Sequence, residues 1–285
     1  MSSHTEIVTP ALLRGWQMSK RAADKDDRGT MLVVGGAMRT PGAALLAGLA
    51  GLRAGAGRLV LAVAEPAAMA TALTVPEAAV VRLPEQASGA ERAAVLERDL
   101  AGTDVVIVGP GLDNAEETAD LLKAIAPLIP EETTVVLDAY ALGVLPGLDD
   151  VYRQWTGRMV LTPNRVEAGR LLGRRGVKMA TAVPRIAEKY GALVTGQGII
   201  ADPEGRIWEV AGGNPGLGTS GSGDVLAGTV GGLLARKASP AQAACWATYL
   251  HATAGDRLAA RIGPMSYLAR ELLDTMPQIL TELSF

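Results

Sequence analysis

Gly212-Gly213-Asn214-Pro215-Gly216-Leu217-Gly218-Thr219-Ser220-Gly221-Ser222-Gly223-Asp224 runs straight into an apolar segment over residues 225–234. Six glycines precede the aspartate. A loop of this kind exposes backbone N–H groups at the mouth of a helix, and the positive end of the helix dipole adds to them, so the junction forms an anion site. The amides of residues 219–223 are the expected donors, and Asp224 is the expected base for a hydroxyl beside a phosphate. The layout suits a site that moves or removes a phosphoryl group. A plainer alternative stays open: the glycines only turn the chain, and Asp224 only caps the helix.

Upstream of the loop, short apolar runs recur, most of them closed by glycine or a polar peptide. Met31-Leu32-Val33-Val34 reads as a buried strand ending at Gly35-Gly36. Pro41 stands where a first helical turn tolerates it, ahead of a small-residue helix over 42–54. Arg58-Leu59-Val60-Leu61-Ala62-Val63 is the next strand. Asp104-Val105-Val106-Ile107-Val108 ends in Gly109-Pro110-Gly111, and a helix over 118–126 follows. Thr133-Thr134-Val135-Val136-Leu137-Asp138 and Met159-Val160-Leu161-Thr162-Pro163 are two more strands, the second followed by a helix over 167–172. Ala192-Leu193-Val194-Thr195 and Ile199-Ile200-Ala201 precede the turn Asp202-Pro203-Glu204-Gly205, and helical patterns cover 241–260 and 268–283.

Apolar runs without alternation, separated by helices, predict an α/β fold with a mostly parallel sheet covered on both faces. One domain is expected over 1–285, with 1–28 as a polar lead-in that carries His4 and the mixed-charge run 20–28. Ligands collect at the carboxyl edge of such a sheet. The peptides Gly35-Gly36, Gly109-Pro110-Gly111, Asp138-Ala139, Thr162-Pro163-Asn164 and Thr195-Gly196-Gln197-Gly198 are therefore the ones to inspect.

The net charge of −3 supplies neither a nucleic-acid groove nor a basic membrane patch. Cys245 is the only cysteine, so no internal disulfide can form and a reducing cytoplasm is the simplest setting. The amino-terminal residues lack the pattern of a signal peptide. The richest apolar run, 43–52, stops at Arg53, well short of the roughly 18 residues of a membrane span. No His/Cys cluster offers a transition-metal site. Gly216-Leu217-Gly218-Thr219-Ser220-Gly221 matches G-x-G-x-x-G, but it lies late in the chain and no acidic residue occurs between Asp224 and Asp256, which argues against a dinucleotide-binding Rossmann unit. A P-loop motif is absent as well.

The run Gly213-Asn214-Pro215-Gly216-Leu217-Gly218-Thr219-Ser220-Gly221-Ser222-Gly223-Asp224-Val225-Leu226-Ala227-Gly228 resembles the signature of the ADP/ATP-dependent NAD(P)H-hydrate dehydratases, members of the ribokinase-like superfamily. The likeness extends, in order, through Val33-Val34-Gly35-Gly36, Pro41-Gly42-Ala43-Ala44, Leu52-Arg53-Ala54-Gly55-Ala56-Gly57, Val108-Gly109-Pro110-Gly111-Leu112, Leu137-Asp138-Ala139, Leu161-Thr162-Pro163 and Leu171-Leu172-Gly173, roughly over residues 30–280. It implies a three-layer α/β/α sandwich and a repair reaction. The S-epimer of NAD(P)H hydrate is phosphorylated on its ring hydroxyl at the expense of ADP or ATP; phosphate then leaves and the double bond returns.

By the same resemblance Asp224 is the catalytic base, with Gly221, Ser222 and Gly223 beside it. Ala43, Ala44, Gly111, Asn164 and Asn214 are expected at the hydrate. Thr195, Gly196, Gln197, Gly198, Ile199 and Gly223 are expected at the nucleotide. Mg2+ is expected on the nucleotide phosphates, with no protein ligand evident, and a homo-oligomer, commonly a tetramer, is expected. The chain departs from the family pattern at Asn164 (usually His), Val166 (usually Gly), Thr195 (usually Lys), and at Tyr140 and Gly143 (usually Asp and Asn). These departures keep two alternatives in view: a related kinase of a small hydroxylated metabolite, or a nucleotide-binding paralogue with little turnover. His251 reads as a packed histidine of the 241–260 helix, Cys245 as a small core residue, Glu167 equally as cap or site residue, and Asp138 equally as pocket or turn residue.

Overall fold

A computed structural model describes residues 5–16, 24–25 and 27–284. His4 and much of the 20–28 charge run lie outside the described residues. Ten strands form one sheet: β1 (Thr5–Ile7), β2 (Thr30–Val34), β3 (Arg58–Ala64), β4 (Ala78–Leu83), β5 (Val105–Val108), β6 (Thr134–Leu137), β7 (Met159–Leu161), β8 (Leu193–Gly196), β9 (Ile199–Ala201) and β10 (Ile207–Glu209). Their order across the sheet is β1-β10-β9-β8-β7-β6-β5-β2-β3-β4. The seven strands from β8 to β4 pair in parallel, whereas β9 pairs antiparallel with both β8 and β10.

Residues β2, β5 and β6 are apolar and buried along nearly their whole length, as required of strands covered on both faces. One face carries the helices Pro41–Ala54, Ser222–Ala235, Pro240–Arg261 and Ala269–Ser284, and the other carries Gly89–Ala101, Ala115–Ile125, Arg165–Leu171 and Met179–Tyr190. The three-layer α/β/α arrangement is thus the one expected. The chain runs outward from β2 to β3 and β4, then returns to place β5 on the other side of β2. That reversal puts the switch point of the sheet at the carboxyl ends of β2 and β5, where Gly35-Gly36 and Gly109-Pro110-Gly111 stand.

The reading of residues 1–28 as a lead-in alone needs correcting. Thr5–Ile7 adds a parallel strand beside β10, and the helix Pro10–Gly15 follows, capped by the Thr9 hydroxyl, which accepts from the Leu12 amide at 3.2 Å. Trp208 Nε1 donates to Glu6 at 3.0 Å, and Trp16 meets the Trp208 ring edge-on at a centroid distance of 6.3 Å. Among the described residues, no helix is long and apolar enough to cross a membrane.

Candidate active site

The glycine loop enters the helix Ser222–Ala235 through Gly221, in a left-handed conformation with φ +89°. An Asn214-capped 3-10 turn precedes it: the Asn214 side-chain oxygen accepts from the Gly216 amide at 2.9 Å. Of the donors expected between 219 and 223, two are engaged locally. Thr219 donates to the Gly216 carbonyl at 3.1 Å and Ser222 to the Thr219 carbonyl at 3.3 Å. Among the described residues, the amides of Ser220, Gly221, Gly223 and Asp224 have no hydrogen-bond partner. They are the unsatisfied donors of a helix start, an arrangement able to accept an anion.

This helix is fastened to the helix Pro41–Ala54 by backbone contact. A methyl group on Gly228 would overlap the Ala47 carbonyl, and one on Gly232 would overlap the Gly51 carbonyl. The anion loop and the peptide holding Ala43 therefore belong to one rigid pair of helices.

Asp224 is half-buried in the first turn, and burial, with Glu167 nearby, pushes its carboxyl up to about 6. Asp138, at the end of β6, is buried and raised to about 8, first by burial and then by the charges of Asp224 and Glu167. Its carboxylate accepts from the Thr162 hydroxyl at 2.8 Å. Burial also raises Glu167. Three acids from β6, the Thr162–Glu167 segment and the anion loop thus share one field at the carboxyl edge. Ala139, next to Asp138, has φ +49°, a strained value for a residue with a Cβ, and such strain gathers at functional sites. The arrangement gives Asp224 a pKa suited to a base at neutral pH while Asp138 holds a proton. Among the described residues, no group of three or more His, Cys, Asp or Glu side chains comes together to hold a metal ion.

The peripheral residues divide. Gln197 and Gly198 form the two-residue turn of the β8–β9 hairpin, both at positive φ (+50° and +84°), with Gln197 exposed and Gly198 and Ile199 part-exposed. Thr195 and Gly196 are buried. Thr195 is fully enclosed with its hydroxyl 2.7 Å from that of Thr248, so its side chain faces the helix Pro240–Arg261 and cannot replace a lysine at phosphates. Ala44 is likewise fully buried under Gly36, and only Ala43 of that pair reaches the surface.

Asn164 is exposed, but its oxygen accepts from the Val166 and Glu167 amides at 2.8 and 3.0 Å, while Glu167 accepts from the Asn164 amide at 2.9 Å. This reciprocal capping box joins the two readings of Glu167, since the cap itself holds the acid beside Asp224. Tyr140 and Val166 are exposed.

Two features escape the sequence. His251 Nε2 lies 2.9 Å from the Ser222 hydroxyl and 3.0 Å from the Ser222 carbonyl. A carbonyl can only accept, so the ring is assigned its proton on Nε2. Burial holds the imidazole neutral, down to about 4. The histidine read as packing thus braces the first residue of the anion-site helix. The second feature is a cavity of about 330 Å3 at the switch point, bordered by Gly35, Ala37 and Leu112. It adjoins Gly111, whose carbonyl accepts from the Ala37 amide at 2.9 Å and the Thr40 hydroxyl at 2.8 Å.

Residues 31–278 match the family described as NAD(P)H-hydrate dehydratase. The ADP-dependent (S)-NAD(P)H-hydrate dehydratase of Xanthomonas campestris pv. campestris is 43% identical, over 97% of this chain and 96% of that protein. The bifunctional NAD(P)H-hydrate repair enzyme Nnr of Moorella thermoacetica is 37% identical over 97% of this chain, which spans 54% of that longer protein. Among solved structures, the ADP/ATP-dependent NAD(P)H-hydrate dehydratase of Bacillus subtilis, co-crystallised with ATP/Mg2+, superposes with a TM-score of 0.82 at 26% identity, covering 98% of this chain and 99% of the other. The chain belongs to the NAD(P)H-hydrate dehydratase family.

Proposed function

We propose that this protein uses ADP or ATP to dehydrate the S-epimer of NAD(P)H hydrate and return the intact reduced nicotinamide. The observation that carries the reading is Asp224, half-buried and raised to about 6, standing in the first turn of a helix whose leading amides have no partner. Hydroxide is a poor leaving group and phosphate a good one. Asp224 takes the proton of the ring hydroxyl as that oxygen attacks the terminal phosphorus of the nucleotide, the P–O bond to the rest of the nucleotide breaks and AMP or ADP leaves, and the Gly221, Gly223 and Asp224 amides hold the charge on the transferred group. The C–O bond then breaks, phosphate departs with the bonding pair, and the neighbouring ring carbon gives up a proton to the departing phosphate or to water as the C–H pair becomes the restored double bond. His251 keeps the loop in register through Ser222.

The exposed hairpin turn at Gln197-Gly198 is the proposed nucleotide contact, with Ile199 and the backbone of Gly223, and Ala43, Gly111 and Asn164 border the hydrate. Magnesium would enter on the nucleotide phosphates, supplying charge neutralisation there. A cytoplasmic homo-oligomer, a tetramer in the first instance, completes the proposal, and sedimentation giving only monomer removes that part. The deciding assay incubates the protein with NADPH hydrate or NADH hydrate, Mg2+ and ADP or ATP, and follows the return of reduced-nicotinamide absorbance. Recovery that disappears in Asp224→Asn supports the reading. Phosphate transfer to another alcohol without recovery sinks it.

A further inference from the structure

The cavity at the switch point lies apart from the hairpin proposed for the phosphate donor. From β8 to β3 the sheet takes five inter-strand steps, about 24 Å at the usual spacing, whereas from β6, where Asp138 meets the field of Asp224, to β3 it takes three, about 14 Å. The cavity borders Leu112, the neighbour of Gly111, and the carboxyl ends of β2, β3 and β4, so it lies on the side of the sheet away from the donor. Its volume of about 330 Å3 suits a nucleoside-sized group. Leu83, Pro84 and Leu112 give it apolar walls against which a base can lie.

Its charge is unusual for a place where a nucleotide ends. Among the described residues, Arg92 is the one cation on the wall, against Glu85, Asp113 and Glu117. The guanidinium is already engaged: it pairs with Glu117 at 2.6 Å, its Nε donates to the Pro84 carbonyl at 3.2 Å, and its side chain is only 12% exposed. Glu117 is held in turn by the Asn114 amide group at 3.0 Å. Among the described residues, Glu85 and Asp113 have no ion-pair partner. Carboxylates of this kind accept hydrogen bonds from a ribose diol and repel a 2′-phosphate.

Resting on the proposed function, we infer that this cavity takes the adenosine end of the dinucleotide hydrate, and that Glu85 and Asp113 make the protein select NADH hydrate over NADPH hydrate. The test compares kcat/KM for the two hydrates in the native protein and in Glu85→Gln/Asp113→Asn, and measures binding of NADH and NADPH to both proteins by calorimetry. The native protein should favour the unphosphorylated dinucleotide at least tenfold, through KM. The double variant should bring that ratio to within about threefold, through a rise in the NADH-hydrate KM and a fall in the NADPH-hydrate KM. Equal use of both hydrates, a preference for the phosphorylated one, or a ratio unmoved by the double variant would overturn the inference. If neither hydrate is turned over but NADH still binds at least tenfold tighter than NADPH, and the double variant removes that margin, the assigned reaction falls and the cavity's selectivity stands.

Discussion

The two faces of the sheet are packed by different means. On the face that carries the anion loop, the helices Pro41–Ala54 and Ser222–Ala235 meet backbone to backbone through Gly51, Gly228, Gly232 and Ala47. On the opposite face the helix Met179–Tyr190 is strongly amphipathic and fills its space with Val183, Ile186 and Tyr190. Bulky cores tolerate loss and repacking, whereas glycine contacts have no slack in them. The lesson is that the first face transmits displacement to the site and the second mainly supplies stability.

The largest expected effect tests the active face directly. Asp224→Asn should lower kcat by about 10²–10⁴-fold while the thermal transition barely moves, because a base is removed and little packing changes. A transition that collapses instead would make Asp224 structural. Next, Ile186→Ala on the opposite face should cost about 2–5 kcal/mol in denaturant unfolding and leave kcat near native at temperatures where the protein is folded. Gly228→Ala should cost a smaller amount, about 1–3 kcal/mol, yet reduce kcat noticeably, since the helix behind the anion loop has to shift. Unchanged turnover in Gly228→Ala would erase the contrast between the faces.

Two pH measurements sharpen the same contrast. Asp224 must be ionised to act, so kcat/KM should climb tenfold per pH unit below about 6 and level off above it. Asp138 behaves opposite to an ordinary paired carboxylate. Its native-state value of about 8 lies above the unfolded value near 3.8, so the native state keeps a proton that the unfolded chain releases. Stability is therefore full below about 4 and declines as pH rises toward 8. Asp138→Asn should flatten that decline, narrowing the difference in Tm between pH 5 and pH 8 by about 2–4 °C for each kcal/mol recovered. An unaltered slope would mean that Asp138 ionises freely.

Much of this was legible in the sequence because it is local. Short, β-branched apolar runs closed by glycine, such as Val105–Val108, read as strands covered on both sides, and the Gly212–Asp224 loop announces its own backbone freedom. Strand β4 was missed because an edge strand is half-exposed and carries Arg82 among alanines and valines. The helix Gly89–Ala101 was missed although Ser88 and Glu91 spell a capping box, a signal that was available. His251 was read only as packing because its partner Ser222 lies 29 residues away, and helical periodicity carries no information across that gap. Thr195 is a related case: its place next to Gly196 says nothing about which face of β8 its side chain takes, and the hydroxyl turns to Thr248, 53 residues on. The cavity's charge balance is also non-local, since Arg92 meets Glu117 from a different helix.

Strand β1 pairs with β10 in the register Thr5↔Ile207. On the ribosome, a segment translated early must wait about two hundred residues for its neighbour to emerge. Until β1 docks, the edge of β10 stands open to any extended peptide, including a sister nascent chain. Docking of Thr5–Ile7, latched by Glu6 on Trp208, covers the β10 edge and leaves the three-residue strand β1 as the border. Deleting those few residues should leave the chemistry near Asp224 intact in the molecules that finish, yet reduce how many finish without clumping.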